Sequence, residues 1–220
     1  KKKRILSISI DDPRQFINSD VSIIPNTIVR SNIRKNKLTK IFVGTKYICF
    51  NNDLTKSKKK IKKKPNNILI SIGSDDKKNY ALQILKSILK LNLPIKIRIL
   101  LNKKRISKFK DLQKKYKNIN LITNISNMDS LLNWSDIFIG GEGLSKFEAA
   151  LKGVPHIFIN NVENDKKDMQ IISQFLKLKT SFFFKIQNFD STRFNLLFLK
   201  LFKNTKLRRK YSKNGLKIFD

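Results

Sequence analysis

The sequence contains few of the residues that build metal centres, disulfide frameworks or membrane spans. Its 220 residues include one cysteine, Cys49, and one histidine, His156, so an intrachain disulfide is impossible and no metal site is expected. No stretch approaches the roughly 18 consecutive apolar residues of a membrane-spanning helix, and the lysine-rich start lacks the apolar region of a signal peptide. We therefore expect neither membrane spanning nor secretion, and the scarcity of cysteine fits a cytoplasmic protein.

Acidic residues are also scarce, with 16 Asp and Glu against 48 Lys and Arg, which gives a formal net charge of +32. Such a charge suggests a nucleic-acid partner, but 39 of the cations are Lys and only 9 are Arg, the residue that grips phosphate and guanine bidentately. Lys, Ile and Asn are all abundant and share A/T-rich codons, so the base composition of the gene explains much of the basicity. We expect a folded domain with no specific nucleic-acid function.

The positive charge is concentrated in residues 56–64, which read KSKKKIKKK and are followed by Pro65. Seven cations in nine residues repel one another, so this segment is predicted to be an exposed linker. It divides the chain into residues 1–55, a basic linker over 56–66, and a carboxyl-terminal domain over 67–220. Weak contact of this segment with an anionic membrane is a further possibility that the sequence leaves open.

After the linker, short apolar runs alternate with amphipathic segments, the pattern of a parallel sheet covered on both faces. Strands are predicted at 68–72, 95–101, 119–123, 136–139, 155–159 and 180–184. Helices are predicted at 80–89, 104–117, 128–134, 144–152, 164–177 and 191–215. The fold class is therefore α/β, with a Rossmann-like domain that follows three further strand signals in the first 50 residues.

Two loops that follow predicted strands are candidates for ligand binding, because open parallel sheets bind ligands at the carboxyl ends of their strands. The first loop is Gly73-Ser74-Asp75-Asp76, in which glycine allows close backbone approach and the following helix N-terminus attracts anions. The alternative is an N-capping turn in which Asp75 or Asp76 caps that helix.

The second loop contains Gly140, Gly141 and Gly143, which can form a backbone nest for a diphosphate. Glu148 lies one turn into the helix that follows, where a carboxylate can accept hydrogen bonds from ribose hydroxyls. The loop does not match the dinucleotide-binding fingerprint. A tight strand-to-helix turn with a solvated Glu148 is the alternative interpretation.

Residues 127–155 resemble the carboxyl-terminal domain of GT-B nucleotide-sugar enzymes, in which a Met-containing helix, a strand, a Gly/Ser-rich loop, a helical Glu and a GxP turn follow in this order. The sequence is most similar to the UDP-sugar hydrolase of pseudaminic acid biosynthesis, UDP-2,4-diacetamido-2,4,6-trideoxy-beta-L-altropyranose hydrolase, and its spore-coat polysaccharide relatives. Residues 70–75, 42–50, 10–12 and 207–220 resemble other segments of that family.

This resemblance implies a GT-B fold: a complete Rossmann-like carboxyl-terminal domain plus the last part of the amino-terminal one. It implies a UDP-sugar ligand, no cofactor, and a hydrolase that cleaves a UDP-activated amino sugar. The alternative is a glycosyltransferase that uses a UDP-sugar donor. The family's catalytic segment lies in an amino-terminal domain that this chain lacks, so we expect a piece of a larger protein whose catalytic residues are unknown. His156, inside a predicted strand, is expected to be a packed residue.

The resemblance also assigns substrate-binding residues: Gly73, Ser74, Asp75, Ile125, Gly140, Gly141, Gly143, Leu144, Ser145, Glu148, Asn164 and Asp165. The backbone near Ile125 would meet uracil, the turn from Gly141 to Ser145 the diphosphate, and Glu148 the ribose. Ser74 and Asp75 would face the phosphates or the sugar. At Asp165 the family has Gln, so the chain departs from the pattern there.

Overall fold

Parallel strands form two sheets in the computed structural model, which describes residues 5–10, 19–25, 40–51, 53–56, 58–73, 76, 78–141, 143–160 and 173–219. The smaller sheet has the order β1-β2-β3 and consists of β1 (Ile8–Ile10), β2 (Val21–Ile24) and β3 (Lys40–Val43). The larger sheet has the order β6-β5-β4-β7-β8-β9, and its neighbouring strands are all parallel. Its strands are β4 (Asn67–Ser71), β5 (Lys96–Leu100), β6 (Ile119–Ile122), β7 (Ile137–Gly140), β8 (His156–Asn160) and β9 (Ser181–Lys185).

Helices separate these strands along the chain. They are α1 (Asp53–Lys56), α2 (Tyr80–Leu89), α3 (Lys110–Lys115), α4 (Met128–Trp134), α5 (Ser145–Lys152), α6, whose described part is 173–177, α7 (Ser191–Lys203) and α8 (Thr205–Asn214). Three 3₁₀ helices occupy Thr45–Tyr47, Lys103–Phe109 and Gly215–Ile218. The α/β class predicted from the sequence is confirmed, and the six predicted strands agree with β4 to β9 to within one residue at nearly every end.

The last predicted helix, 191–215, is wrong as a single element. The helix is interrupted at Asn204, which has φ −103° and ψ 95°. The side-chain oxygen of Asn204 accepts a hydrogen bond from the backbone N–H of Leu207 at 2.9 Å. An Asn that caps a helix start in this way ends one helix and begins another. The predicted helix 104–117 likewise begins as the 3₁₀ helix and becomes α-helical only from Lys110. The first part of the predicted helix 164–177 lies outside the described residues.

Each face of the larger sheet has its own apolar cluster, because successive strand residues point to opposite faces. Ile68 and Ile70 of β4 point into the larger cluster, which includes Ile84 of α2 and Phe194 of α7. Leu69, between them in sequence, points to the other face and packs with Leu132 of α4, Ala149 of α5 and Leu54 of α1. The sheet is therefore covered on both faces at its centre, as the apolar runs predict.

The segment that joins the two sheets packs on the larger one. Ile48 and the partly buried Phe50 contact Phe147 of α5 and Ile218, and the hydroxyl of Thr45 donates a hydrogen bond to the carbonyl oxygen of Ile218. The segment after β3 therefore meets the last described residues of the chain beside α5.

The basic segment is not a free loop along its whole length, because one carboxylate holds it. Asp136, which is 5% exposed, accepts hydrogen bonds from the backbone N–H groups of Asn66 and Asn67 at 3.0 and 3.1 Å. It also pairs with the ammonium groups of Lys62 at 3.1 Å and Lys59 at 3.7 Å. Charge repulsion within the segment predicts full solvation, but it does not take account of a buried acid at the amino end of β7.

Arg208 of α8 holds the backbone in the middle of this segment. Its buried guanidinium donates hydrogen bonds to the carbonyl oxygens of Lys62 and Lys63 at 3.0 and 2.8 Å, and to those of Leu201 and Phe202 at the end of α7. The pKa of Arg208 is lowered, because burial lowers it more than the nearby negative charge of Asp136 raises it. The segment thus lies between β7 and the C-terminal helices. In the part of the chain that the structure describes, no helix has the length and apolar character needed to cross a bilayer.

The substitution Asp136→Asn should lower the free energy of unfolding by about 3 kcal/mol, because it leaves Lys59 with a buried ammonium group and no carboxylate partner. Chemical denaturation of the purified chain measures this change. The control is Asp111→Asn, which neutralises an exposed carboxylate on α3 and should change stability by less than about 0.5 kcal/mol. Equal effects of the two substitutions would show that the contacts of Asp136 contribute nothing specific.

Candidate functional site

The strand order reverses between β4 and β7, and this point defines the candidate site. From β4 the chain continues outward through β5 to β6, then returns to β7 on the other side of β4 and continues to β8 and β9. The loops after β4 and β7 therefore leave the sheet side by side and turn in opposite directions. A crevice opens at the carboxyl ends of the strands where this happens, and ligands of open α/β sheets bind there.

Gly141 sets how closely the two loops approach. It is buried directly after β7, and its backbone N–H donates a hydrogen bond to the carbonyl oxygen of Ser71 at 3.1 Å. A Cβ atom at this position would overlap the carbonyl oxygen of Ile72. Gly141 is therefore required for packing, and its own N–H is already used within the sheet.

An open cleft of about 620 Å³ lies beside this contact. It is lined by Ser71 and Gly73 after β4, by Leu100, Leu101, Asn102, Lys103 and Lys104 after β5, and by Thr123 and Asn124 after β6. Gly73 has φ +103°, a conformation that glycine adopts without strain. Among the described residues other than its chain neighbours, no atom lies within 4 Å of the place its Cβ would take. The cleft thus combines open backbone, small polar side chains and two ammonium groups.

The helix that follows the first loop is already capped. The carboxylate of Asp76, which is 3% exposed, accepts hydrogen bonds from the backbone N–H groups of Tyr80 at 2.7 Å and Ala81 at 2.9 Å. This confirms the capping-turn alternative for Asp76, and it means that the N-terminus of α2 does not offer those donors to an anion. Ser74 and Asp75 lie outside the described residues.

The structure brings some of the predicted site residues together and separates others. Gly73 lines the cleft, and Ile125, which is 39% exposed, follows Asn124 at its far side. Gly140 is the last residue of β7, while Gly143 and Leu144 are exposed in the turn before α5. Asn164 and Asp165 lie outside the described residues.

Glu148 lies in the first turn of α5 and is not among the residues that line the cleft. Its side chain is half-buried, and burial raises the pKa of its carboxyl group because the charged form loses hydration. Ser145, the first residue of the same helix, is also half-buried. Hydroxyl donors would stabilise a carboxylate in this position, because they would replace the lost water.

Besides Ser71, Leu100 and Leu101, the sequence analysis missed five polar residues of the cleft, namely Asn102, Lys103, Lys104, Thr123 and Asn124. They come directly after β5 and β6, so the rule that ligands bind at the carboxyl ends of parallel strands could have identified them. Asn102 caps the 3₁₀ helix by accepting a hydrogen bond from the backbone N–H of Lys104 at 3.1 Å, which fixes the turn that carries both lysines.

His156 is 1% exposed in β8, which confirms that it is a packed residue. Its ring Nδ1 donates a hydrogen bond to the carbonyl oxygen of Val154 at 3.0 Å, and the ring packs edge-on against Phe175. Burial lowers its pKa to about 4, so the imidazole is neutral at physiological pH. It is not a residue of the cleft.

Solved structures of GT-B glycosyltransferases are similar to this chain. MurG of Acinetobacter baumannii matches with a TM-score of 0.59 and 18% identity over 90% of the chain and 56% of that structure. WaaG, a glycosyltransferase involved in lipopolysaccharide biosynthesis, matches with a TM-score of 0.60 and 13% identity over 84% of the chain and 53% of WaaG. TarM of S. aureus, determined with Fondaparinux, alpha-GlcNAc-glycerol and UDP, matches with a TM-score of 0.62 and 14% identity over 92% of the chain and 41% of TarM. The chain has a GT-B-type α/β fold.

The sequence comparison finds an archaeal relative. Uncharacterized protein MJ1062 of Methanocaldococcus jannaschii is 29% identical over 168 residues, which are 69% of this chain and 35% of that protein. No protein-family model matches the chain. The chain spans about half the length of the solved structures and about a third of the archaeal protein. The pseudaminic-acid hydrolase resemblance is not shown by these comparisons.

Gly141→Ala should lower the free energy of unfolding by about 1–3 kcal/mol, because the added Cβ displaces the turn after β7 from the turn after β4. Gly143→Ala is the matched control, since no atom of the described residues outside its chain neighbours lies within 4 Å of the place its Cβ would take, and it should change stability by less than about 0.5 kcal/mol. Urea denaturation compares the two variants. If Gly141→Ala were as stable as Gly143→Ala, the close approach to Ile72 would not constrain the fold.

The pKa of His156 makes stability depend on pH. The unfolded chain binds a proton on this residue below about pH 6.5, whereas the folded chain does so only near pH 4. The contribution of His156 to the free energy of unfolding is therefore full above pH 6.5 and falls by about 3 kcal/mol as the pH drops to 4. His156→Gln should remove this fall, so the stability gap between wild type and variant should narrow between pH 7 and pH 4.5. A constant gap in denaturation curves across this range would contradict a neutral buried imidazole.

Proposed function

We propose that this chain is the donor-binding half of a GT-B glycosyltransferase and that it binds a UDP-sugar at the carboxyl ends of β4 to β7. The observation that carries the proposal is the cleft beside the strand-order reversal, whose lining combines a glycine turn with Lys103 and Lys104. The presence of UDP in the TarM structure supports the choice of nucleotide.

The diphosphate would lie between the glycine-containing turns and the lysines. Gly143 is exposed and leaves open space above its backbone, so the turn before α5 can approach an anion closely. The N–H of Gly141 is used by Ser71, so the exposed part of the turn, Gly143 to Ser145, would bind the phosphates. The ammonium groups of Lys103 and Lys104 would neutralise charge from the opposite side of the cleft.

The nucleoside would lie between the loop after β6 and α5. The backbone near Ile125 would contact uracil beside Thr123 and Asn124. The carboxylate of Glu148 would accept hydrogen bonds from the ribose hydroxyls, and its partial burial makes such donors more valuable than they are to a fully hydrated group.

A glycosyltransferase fits the comparisons better than the hydrolase that the sequence resemblance favours. The similar solved structures are GT-B glycosyltransferases, and none of the findings supports the hydrolase activity. In both reactions the nucleotide is the leaving group, so both place the same demands on this half of the molecule. The difference lies in the acceptor, a hydroxyl-bearing molecule for a transferase and water for a hydrolase.

The domain assignment is part of the same proposal. We assign residues 1–55 to the end of an amino-terminal GT-B domain and residues 67–220 to the carboxyl-terminal, nucleotide-sugar-binding domain, with the missing amino-terminal domain as the partner that completes the active site. Matches that span 90% or more of the chain support this, because they extend across both sheets.

Isothermal titration of the chain with UDP tests the function. We expect saturable binding, and Glu148→Gln should weaken it by about 10- to 100-fold, because charge-assisted hydrogen bonds to the ribose hydroxyls are lost. Lys104→Gln should weaken UDP and inorganic diphosphate alike. Asp111→Asn and Lys86→Gln, which change exposed charges outside the cleft, are the matched controls and should bind UDP as the wild type does.

Two results would contradict the proposal. Absence of UDP binding in a chain that is folded by circular dichroism would reject the nucleotide site. Unchanged UDP affinity in Glu148→Gln would show that Glu148 does not bind the ribose and would support the alternative interpretation, a solvated side chain on the helix. Single-stranded DNA serves as a further ligand, titrated over a series of salt concentrations, because non-specific binding to lysines falls steeply with salt.

A further inference from the structure

A second groove, of about 530 Å³, lies at the opposite end of the strands from the nucleotide cleft. Its cationic lining residues are Lys96 and Arg98 of β5 and Lys117 just before β6, and Trp134 at the end of α4 forms its aromatic wall. No carboxylate is among its lining residues. Three cations without an acid make this groove strongly attractive to anions.

The groove exists because α4 does not cover the edge of the sheet. Leu69, Arg98 and Asn120 are consecutive partners across β4, β5 and β6, so their side chains lie on the same face of the sheet. Leu69 is fully buried under α4, Arg98 is half-buried and Asn120 is exposed. The face therefore changes from apolar to cationic to polar within three strands, and the cationic position is at the boundary of the covered region.

Stacking on the indole holds Arg98 in place. Its guanidinium carbon lies 4.2 Å from the centre of the Trp134 ring, and among the described residues it has no hydrogen-bond or ion-pair partner. The N–H groups of a guanidinium that is held only by stacking remain available to an oxyanion, which they can bind bidentately. The nearby carbonyl oxygens of Asn133 and Trp134 accept hydrogen bonds from Lys59 and Asn67, so these acceptors already have protein donors.

We propose that this groove is a second anion site that binds a phosphate monoester, with Arg98 as the bidentate donor and Lys96 and Lys117 as flanking charges. A phosphate monoester carries close to two negative charges at neutral pH, which suits three cations better than a single carboxylate does. Both a free phosphate and the headgroup of phosphatidic acid present this chemistry. The site is independent of the nucleotide cleft, because the two lie at opposite ends of the strands.

The chain contains one tryptophan, so its fluorescence reports Trp134 alone. Titration with inorganic phosphate and glycerol phosphate should give a saturable fluorescence change, and calorimetry should give the same affinity. Vesicles of phosphatidylcholine with phosphatidic acid, compared with phosphatidylcholine alone, distinguish the two sources. If the ligand is a lipid headgroup, the chain should bind the vesicles with phosphatidic acid more tightly than it binds glycerol phosphate. If the ligand is a soluble phosphate, the chain should show no such gain in affinity.

Variants test the assignment of roles. Arg98→Gln should weaken phosphate binding at least about tenfold, and Arg98→Lys, which keeps the charge but loses the planar fork, should restore only part of it. The double variant Lys96→Gln with Lys117→Gln leaves the stacked pair intact and should also weaken binding. The control Lys86→Gln removes one exposed charge from α2, outside the groove, and should have no effect.

Three results would overturn the proposal. The first is the absence of a saturable signal by both fluorescence and calorimetry in the folded wild-type chain. The second is an affinity for phosphate that is equal in the wild type, Arg98→Gln and the double lysine variant, since general surface charge would then be responsible. The third is that the chain binds single-stranded DNA more tightly than phosphate and that Arg98→Gln weakens both affinities equally, which would assign the groove to a nucleic acid.

Discussion

The backbone contact between Gly141 and Ile72 is the constraint on which the rest of the structure depends. It joins the turns that leave β4 and β7, the two strands between which the strand order reverses, and it leaves no room for a side chain. The hydrogen bond from the N–H of Gly141 to Ser71 continues the pairing of these strands into the turns. Because the turns are held this closely, the cleft lies to one side of them, under the ends of β5 and β6. A ligand there meets backbone, short polar side chains and the ammonium groups of Lys103 and Lys104.

The few acidic side chains whose contacts the structure describes are used where backbone donors or lysines would otherwise lack partners. Asp76 and Asp190 accept hydrogen bonds at the starts of α2 and α7. Asp129 pairs with the buried ammonium of Lys152 at 2.6 Å, and Asp136 pairs with Lys59. Among the described residues, the buried Lys and Arg side chains are those of Lys146, Lys152 and Arg208. At buried positions the positive groups are matched by carboxylates, backbone carbonyls or aromatic rings, as burial of charge requires.

The sequence allowed the sheet to be predicted well, because continuous apolar runs such as 68–72 have few alternatives to a buried parallel strand. The same information could not locate the break at Asn204, where the apolar spacing of α7 and α8 is continuous and only a cap separates them. It also could not show that Asp136 binds the basic segment, since 74 residues separate Lys62 from its partner. For the site, the glycine turns were evident as motifs, whereas Lys103 and Lys104 carry no motif and become significant only through their position after β5.

Asp136 and Arg208 hold the basic segment by different chemistry. Asp136 holds Lys59 and Lys62 through charge, and it holds the backbone N–H groups of Asn66 and Asn67 through hydrogen bonds. Arg208 holds the carbonyl oxygens of Lys62 and Lys63, acceptors that do not titrate and whose hydrogen bonds are buried. A substitution of Lys59 or Lys62 would therefore leave the segment attached to Asp136 and Arg208 through its backbone.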